Sequence, residues 1–119
     1  MDNEDKPILF RPAVGNKGMT ELHYAAYCGD IDTLKECLAN GMDPNQKDEY
    51  RKYTAAHWVT DMSAVYGPRL EMLKELINAG ADLTIKAING ETVLSLAKDS
   101  TSELGNEIVN YLHSIGVKD

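Results

Sequence analysis

The sequence predicts an all-α solenoid: about three helix-turn-helix repeats stacked in one domain, with β-turn or hairpin fingers projecting between them and a capping C-terminal helix. Three observations predict it. The run Thr20-Glu21-Leu22-His23-Tyr24 returns as Thr54-Ala55-Ala56-His57-Trp58 at an offset of 34. The apolar stripe Ile31, Leu34, Cys37, Leu38, closed by Gly41-Met42-Asp43, returns at an offset of 39 as Leu70, Leu73, Leu76, Ile77 with Gly80-Ala81-Asp82. A third copy begins at Asn89-Gly90-Glu91-Thr92-Val93-Leu94.

Taken in order, residues 1–14 form an acidic lead whose first six residues are expected to be mobile. Its Ile8-Leu9-Phe10 is expected to lie against the first repeat. Repeat one covers 15–48. Thr20 caps a short helix with Ala25-Ala26 at its middle, small enough for neighbours to approach closely. Gly29-Asp30 breaks the chain, and the second helix presents its stripe at one-face spacing. Gly41 ends it, since glycine takes the left-handed conformation without a Cβ clash.

Repeat two covers 49–86 and carries a five-residue insertion between its helices, within 62–69. Repeat three and the cap cover 87–119. Its last helix, Ser102–Ser114, sets Leu104, Ile108, Tyr111, Leu112 and Ile115 on one side, and Glu103, Asn106, Glu107, Asn110 and His113 on the other. A polar outer side suits a terminal repeat, because nothing stacks beyond it. Each threonine is expected to supply a helix-start oxygen, worth about 1 kcal/mol. Segments 46–53 and 85–91 are expected to project as fingers.

Composition limits the function. At 119 residues the chain fits one domain that buries roughly two-thirds of its unfolded surface, enough for a core without metal or disulfides. A net charge of −7 argues against nucleic acid and against anionic membrane surfaces. It leaves a protein partner, a basic one included, or solubility alone. No apolar run reaches the roughly 18–20 residues of a membrane helix, and the acidic start does not resemble a secretory signal. Cys28 and Cys37 match no metal or redox spacing and read as packed thiols. A reducing, cytoplasmic location and a monomeric free state are expected. So is the absence of any cofactor.

These motifs make the chain similar to the ankyrin-repeat family over roughly residues 15–117. Thr20-Glu21-Leu22-His23-Tyr24-Ala25 resembles the family's T-P-L-H-x-A signature, and Gly41-Met42-Asp43-Pro44-Asn45 and Gly80-Ala81-Asp82-Leu83-Thr84 resemble its helix-two ending. The signature proline is replaced in every copy (Glu21, Ala55, Val93), and Ser95 stands for the histidine in the third.

The resemblance implies a structural task for His23 and His57, hydrogen bonding to backbone between units. No carboxylate or cysteine is spaced to complete a triad or a zinc shell with them. The rival reading is an enzyme, or an enzyme's small subunit, using the two histidines. Gly15-Asn16-Lys17-Gly18 lacks the order of a phosphate loop and reads as a turn. Glu71, Lys74 and Glu75 read as a solvated helix face.

The resemblance also implies a non-catalytic protein-binding module that uses its concave side, the finger tips and the exposed positions of the first helices. The candidate contacts are Asn16, Lys17, Met19 and Tyr27 in repeat one. Repeat two offers Tyr50, Arg51, Tyr53, Asp61 and Met62, and repeat three Ile88, Asn89, Glu91 and Asp99. Tyrosine and arginine dominate interface energetics, which draws notice to this set. Trp58 reads as core. The insertion adds Tyr66 and Arg69 beside that surface, with a composition closer to an interface than to a spacer. A small acidic chain of this kind is expected to be a blocker or adaptor, such as an inhibitor or immunity-type protein. A self-associating scaffold is the other alternative.

Overall fold

Among the described residues a side-chain cap opens every helix but one, and a glycine at positive φ closes four of the six. The structure, a computed structural model, describes residues 18–61, 67–100 and 102–118. Among the described residues there are six helices and no strand. They are α1 (Glu21–Cys28), α2 (Ile31–Ala39), α3 (Ala55–Thr60), α4 (Arg69–Asn78), α5 (Val93–Asp99) and α6 (Glu103–Ser114). The lead, Asn16 and Lys17, and the inserted residues 62–66 with Met62 and Tyr66, lie outside the described residues.

The three threonines cap as expected. Thr20 Oγ1 accepts from the His23 N–H, Thr54 Oγ1 from His57, and Thr92 Oγ1 from Ser95. In each case the residue three positions on answers with its side chain to the cap's own N–H, so two helix-start donors are satisfied reciprocally. Asp30 and Ser102 cap α2 and α6.

Helices α1, α3 and α5 pack side by side as an inner layer. Each outer helix (α2, α4, α6) packs on its own inner partner, and α4 touches both α2 and α6. Small residues make the inner layer possible: Ala25, Ala26, Ala55, Ala56 and Ala97 are all buried. Leu22, Leu34, Met72, Leu73, Leu76, Leu94, Ile108 and Leu112 fill the space between layers. Each such side chain contributes about 1.5–3 kcal/mol on burial. Trp58 joins this core, as its sequence position suggested. On α6, Ile108 and Leu112 are buried and Leu104 and Tyr111 pack at the margin. Ile115 departs from that pattern: the helix ends at Ser114, so Ile115 turns outward and is 44% exposed.

Repeats are joined at both ends of the outer helices. Asn45 Nδ2 donates to the Gly80 carbonyl at 3.1 Å and Asn45 Oδ1 accepts from the Asp82 N–H at 2.6 Å, so one amide pins the corner of repeat one to that of repeat two. At the other end the segment leading into α4 comes against repeat one. A Cβ at Gly67 (φ +79°) would lie 2.8 Å from the Gly29 Cα, an approach that only glycine permits. Gly105 allows a similar approach of α6 to the preceding turn, where a Cβ would stand 2.7 Å from the Ser100 Cβ.

Arg69 does not offer the exposed contact expected of it. Its guanidinium is buried at the C-terminal ends of α1 and α3. Nη1 donates to the carbonyls of Ala26 (2.7 Å) and Trp58 (3.3 Å), and Nη2 to that of Tyr27 (3.0 Å). Last-turn carbonyls lack partners within their own helices, and a planar fork satisfies several at once. Only Nε is left without a partner.

Candidate functional site

The two fingers are built by side chains that grip backbone. Asp48 is buried; its Oδ1 accepts from the N–H groups of Arg51 (3.0 Å) and Tyr53 (3.3 Å), and its Oδ2 from Trp58 Nε1 at 2.6 Å. The Asp48 N–H donates to the Tyr53 carbonyl at 2.9 Å and closes the turn, with Lys52 in the left-handed region (φ 60°). The second finger closes through the Ala87 N–H on the Glu91 carbonyl. The Ile88 N–H donates to the Arg51 carbonyl at 2.8 Å and couples the two fingers.

Histidines fasten the fingers to the helices. The Thr20 N–H lies 3.1 Å and the Thr20 hydroxyl 2.9 Å from His23 Nδ1, so this nitrogen is the acceptor. Nε2 therefore carries the proton and donates to the Gln46 carbonyl at 2.8 Å. His57 repeats the arrangement with Thr54 (3.0 and 2.9 Å) and the Glu91 carbonyl (3.1 Å). Burial holds both imidazoles below the ordinary 6.5, despite the backbone bonds that favour protonation. With both ring nitrogens engaged, neither histidine has a lone pair to offer a metal or a substrate proton. Among the described residues no three His, Cys, Asp or Glu side chains gather into a metal-binding group.

An aromatic cluster lies where the first finger folds over α3. Tyr53 stacks on His57 (5.1 Å, 10°) and meets Trp58 edge to face (4.9 Å, 78°), while Tyr27 meets the same indole at 5.4 Å and 80°. The Arg51 guanidinium stands 5.6 Å from the Tyr53 ring centre and 5.8 Å from that of Trp58. Its Nη1 donates to Asp61 Oδ2 at 2.9 Å, and the Tyr53 hydroxyl donates to the same oxygen at 2.8 Å. Burial, with Asp61 as acceptor, pushes the Tyr53 phenol up to about 12.

The expected contact residues therefore divide. Tyr50, Arg51, Ile88, Asn89 and Asp99 are exposed, and Tyr27 and Glu91 are half-buried. Met19, Tyr53 and Asp61 are buried, which corrects their placing at an open surface. Met19 precedes the Thr20 cap and belongs to the core. Tyr53 and Asp61 lie beneath the folded finger, bonded to one another. The role of Asp48 was not anticipated from the sequence. The available signal was an aspartate opening a polar turn, a place where its carboxylate can take up neighbouring N–H groups.

A family profile described as ankyrin repeats (3 copies) matches residues 22–119. Ankyrin repeat and SAM domain-containing protein 6 of Rattus norvegicus is 31% identical over 102 residues, which are 86% of this chain and 11% of that protein. Palmitoyltransferase ZDHHC17 of Homo sapiens is 37% identical over 80 residues, 66% of this chain and 12% of that protein. The chain thus spans about a tenth of the length of these curated relatives. Among solved structures, the crystal structure of EF0377, an ankyrin repeat protein, superposes with a TM-score of 0.71 at 28% identity. The match covers 82% of this chain and 47% of that one.

Proposed function

The chain belongs to the ankyrin-repeat family, and from that premise we propose that it is a non-catalytic module gripping one protein partner across its finger tips and inner helices. Ankyrin repeats are protein-interaction modules, typically non-catalytic. One observation carries the reading to particular residues. Tyr50 is 38% and Ile88 68% exposed, the first on a finger closed by the Asp48 grip, the second on a finger closed by the Ala87–Glu91 bond, and the Ile88–Arg51 backbone bond couples the two. An apolar and an aromatic anchor on a pre-organised frame bind without a large ordering cost.

The net charge of −7 favours a basic partner, and a blocker of the inhibitor or immunity type, or an adaptor, is the concrete version. Free Cys28 and Cys37 fit a reducing, cytoplasmic setting. Among the described residues no helix is long and apolar enough to cross a membrane. The test is the affinity for the protein that co-purifies with the native chain, identified by mass spectrometry. Tyr50→Ala and Ile88→Ala are each expected to weaken it roughly tenfold, as central anchors do. Unchanged affinity in both overturns the reading.

Self-association through the repeat-three end is a second reading. A groove of ≈ 550 Å³ opens there, lined by residues that include Leu83, Thr84, Ser95, Ile115 and Val117. Light scattering that grows with concentration, and that Ile115→Lys abolishes, supports this reading; a steady monomer removes it.

A further inference from the structure

We propose that the place occupied by Arg51 is a receptor site for an arginine side chain of a basic partner, closed in the free chain by Arg51 itself. This rests on the binding reading above and specifies its chemistry. The walls suit a planar cation: the rings of Tyr53 and Trp58 lie 5.6 and 5.8 Å from the guanidinium, and the Asp61 carboxylate is 2.9 Å from Nη1. Rings attract cations through their faces, and a carboxylate beside them selects charge over mere apolarity.

The occupant is displaceable. The Arg51 side chain is 53% exposed, and the bonds that hold the finger involve only the residue's backbone N–H and carbonyl. The side chain can therefore swing out while the turn stays closed. Exchange replaces one guanidinium by another against the same rings and the same oxygen, so the incoming cation meets the surroundings that the outgoing one leaves. Tyr53 keeps the Asp61 carboxylate in position during exchange through its own 2.8 Å bond. The site lies in a chain of net charge −7, which draws a basic segment towards it and repels an acidic one.

The test uses the full chain and a blocked nona-arginine peptide, with nona-glutamate as the opposite-charge comparison. Trp58 is the chain's single tryptophan, so its emission reports on this site alone. Nona-arginine is expected to shift that emission in the unaltered chain, and nona-glutamate to leave it. Arg51→Gln removes the competing occupant and is expected to tighten the peptide about tenfold by calorimetry. Asp61→Asn in the Arg51→Gln background returns the affinity to the parent's or below.

Lys35→Gln makes the same charge change on the exposed face of α2 and is expected to leave affinity as it was. An unmoved Trp58 emission, an Arg51→Gln variant that binds no tighter, or equal tightening in Lys35→Gln overturns the proposal. If it fails while Tyr50→Ala and Ile88→Ala still weaken the native partner, the binding face stands and only the arginine site falls.

Discussion

Arg69→Met is expected to lower the unfolding free energy by about 3 kcal/mol, the largest single loss expected of any polar residue in the repeats. Methionine fills most of the arginine's volume, so the loss isolates the polar contacts rather than a cavity. Three carbonyls (Ala26, Tyr27 and Trp58) are left at the ends of α1 and α3 without the guanidinium that bonds them. A hydrogen bond to a charged group contributes about 1.5–3 kcal/mol net. Against the sum stands the cost of burying the charge with its Nε unpartnered, which brings the total down to the stated size. Arg69→Lys keeps the charge but not the fork and is expected to recover only part of the loss. Urea unfolding with an unchanged slope measures both. A loss below about 0.5 kcal/mol for Arg69→Met shows that water serves these carbonyls as well as the arginine does.

The second large effect is a loss of stability on acidification. His23 and His57 are held neutral in the folded chain, with values below 6.5, chiefly because burial disfavours the charged ring. The unfolded chain titrates near 6.5 and so binds more protons than the folded one as pH falls below that point. Stability contributed by the neutral rings is complete above about pH 6.5. It declines as pH drops towards the lower folded values. With both histidines contributing, the slope approaches at most about 2.7 kcal/mol per pH unit.

Protonation also places an Nδ1 proton against the threonine N–H, so the folded state cannot accept the charge without giving up a cap bond. Replacing both histidines by glutamine is expected to flatten the dependence between pH 6.5 and 5 while lowering stability at pH 7 by about 1–2 kcal/mol per site. Thermal unfolding across that range measures it. A profile that stays steep in the double variant assigns the acid sensitivity elsewhere. The enzyme reading of these histidines predicts lost turnover with stability intact, the opposite pattern.

What the sequence made legible was whatever acts locally. Thr20, Thr54 and Thr92 announce helix starts because their partners stand three residues away. Gly29, Gly41, Gly80 and Gly116 announce four of the helix ends, because each takes the left-handed conformation there. The three-copy repeat then sets the stacking, since a lone helix pair cannot bury its stripe. What was not legible acts across distance on groups without a sequence mark. Arg69 bonds backbone carbonyls of Ala26 and Tyr27, more than forty residues earlier, and a carbonyl is present at every position. Its place in an insertion, beside Tyr66, made it look like surface.

Tyr53 and Asp61 were misplaced for a related reason. Nothing in the spacing says that the finger folds back over α3, which depends on Asp48 reaching Trp58 ten residues on. The tips fared better. Tyr50 and Ile88 stand at the turns themselves, where a large apolar side chain has no core to enter.

Central to all of this are two imidazoles whose ring nitrogens are both engaged in fastening the fingers to the helices. Nitrogen-15 NMR of the histidine side chains tests that most directly. The prediction is a proton on Nε2 of both His23 and His57 at pH 7.5, a titration midpoint below 6.5 for each, and indifference to added zinc. Rings that titrate near 6.5, carry the proton on Nδ1, or shift when zinc is added would contradict it.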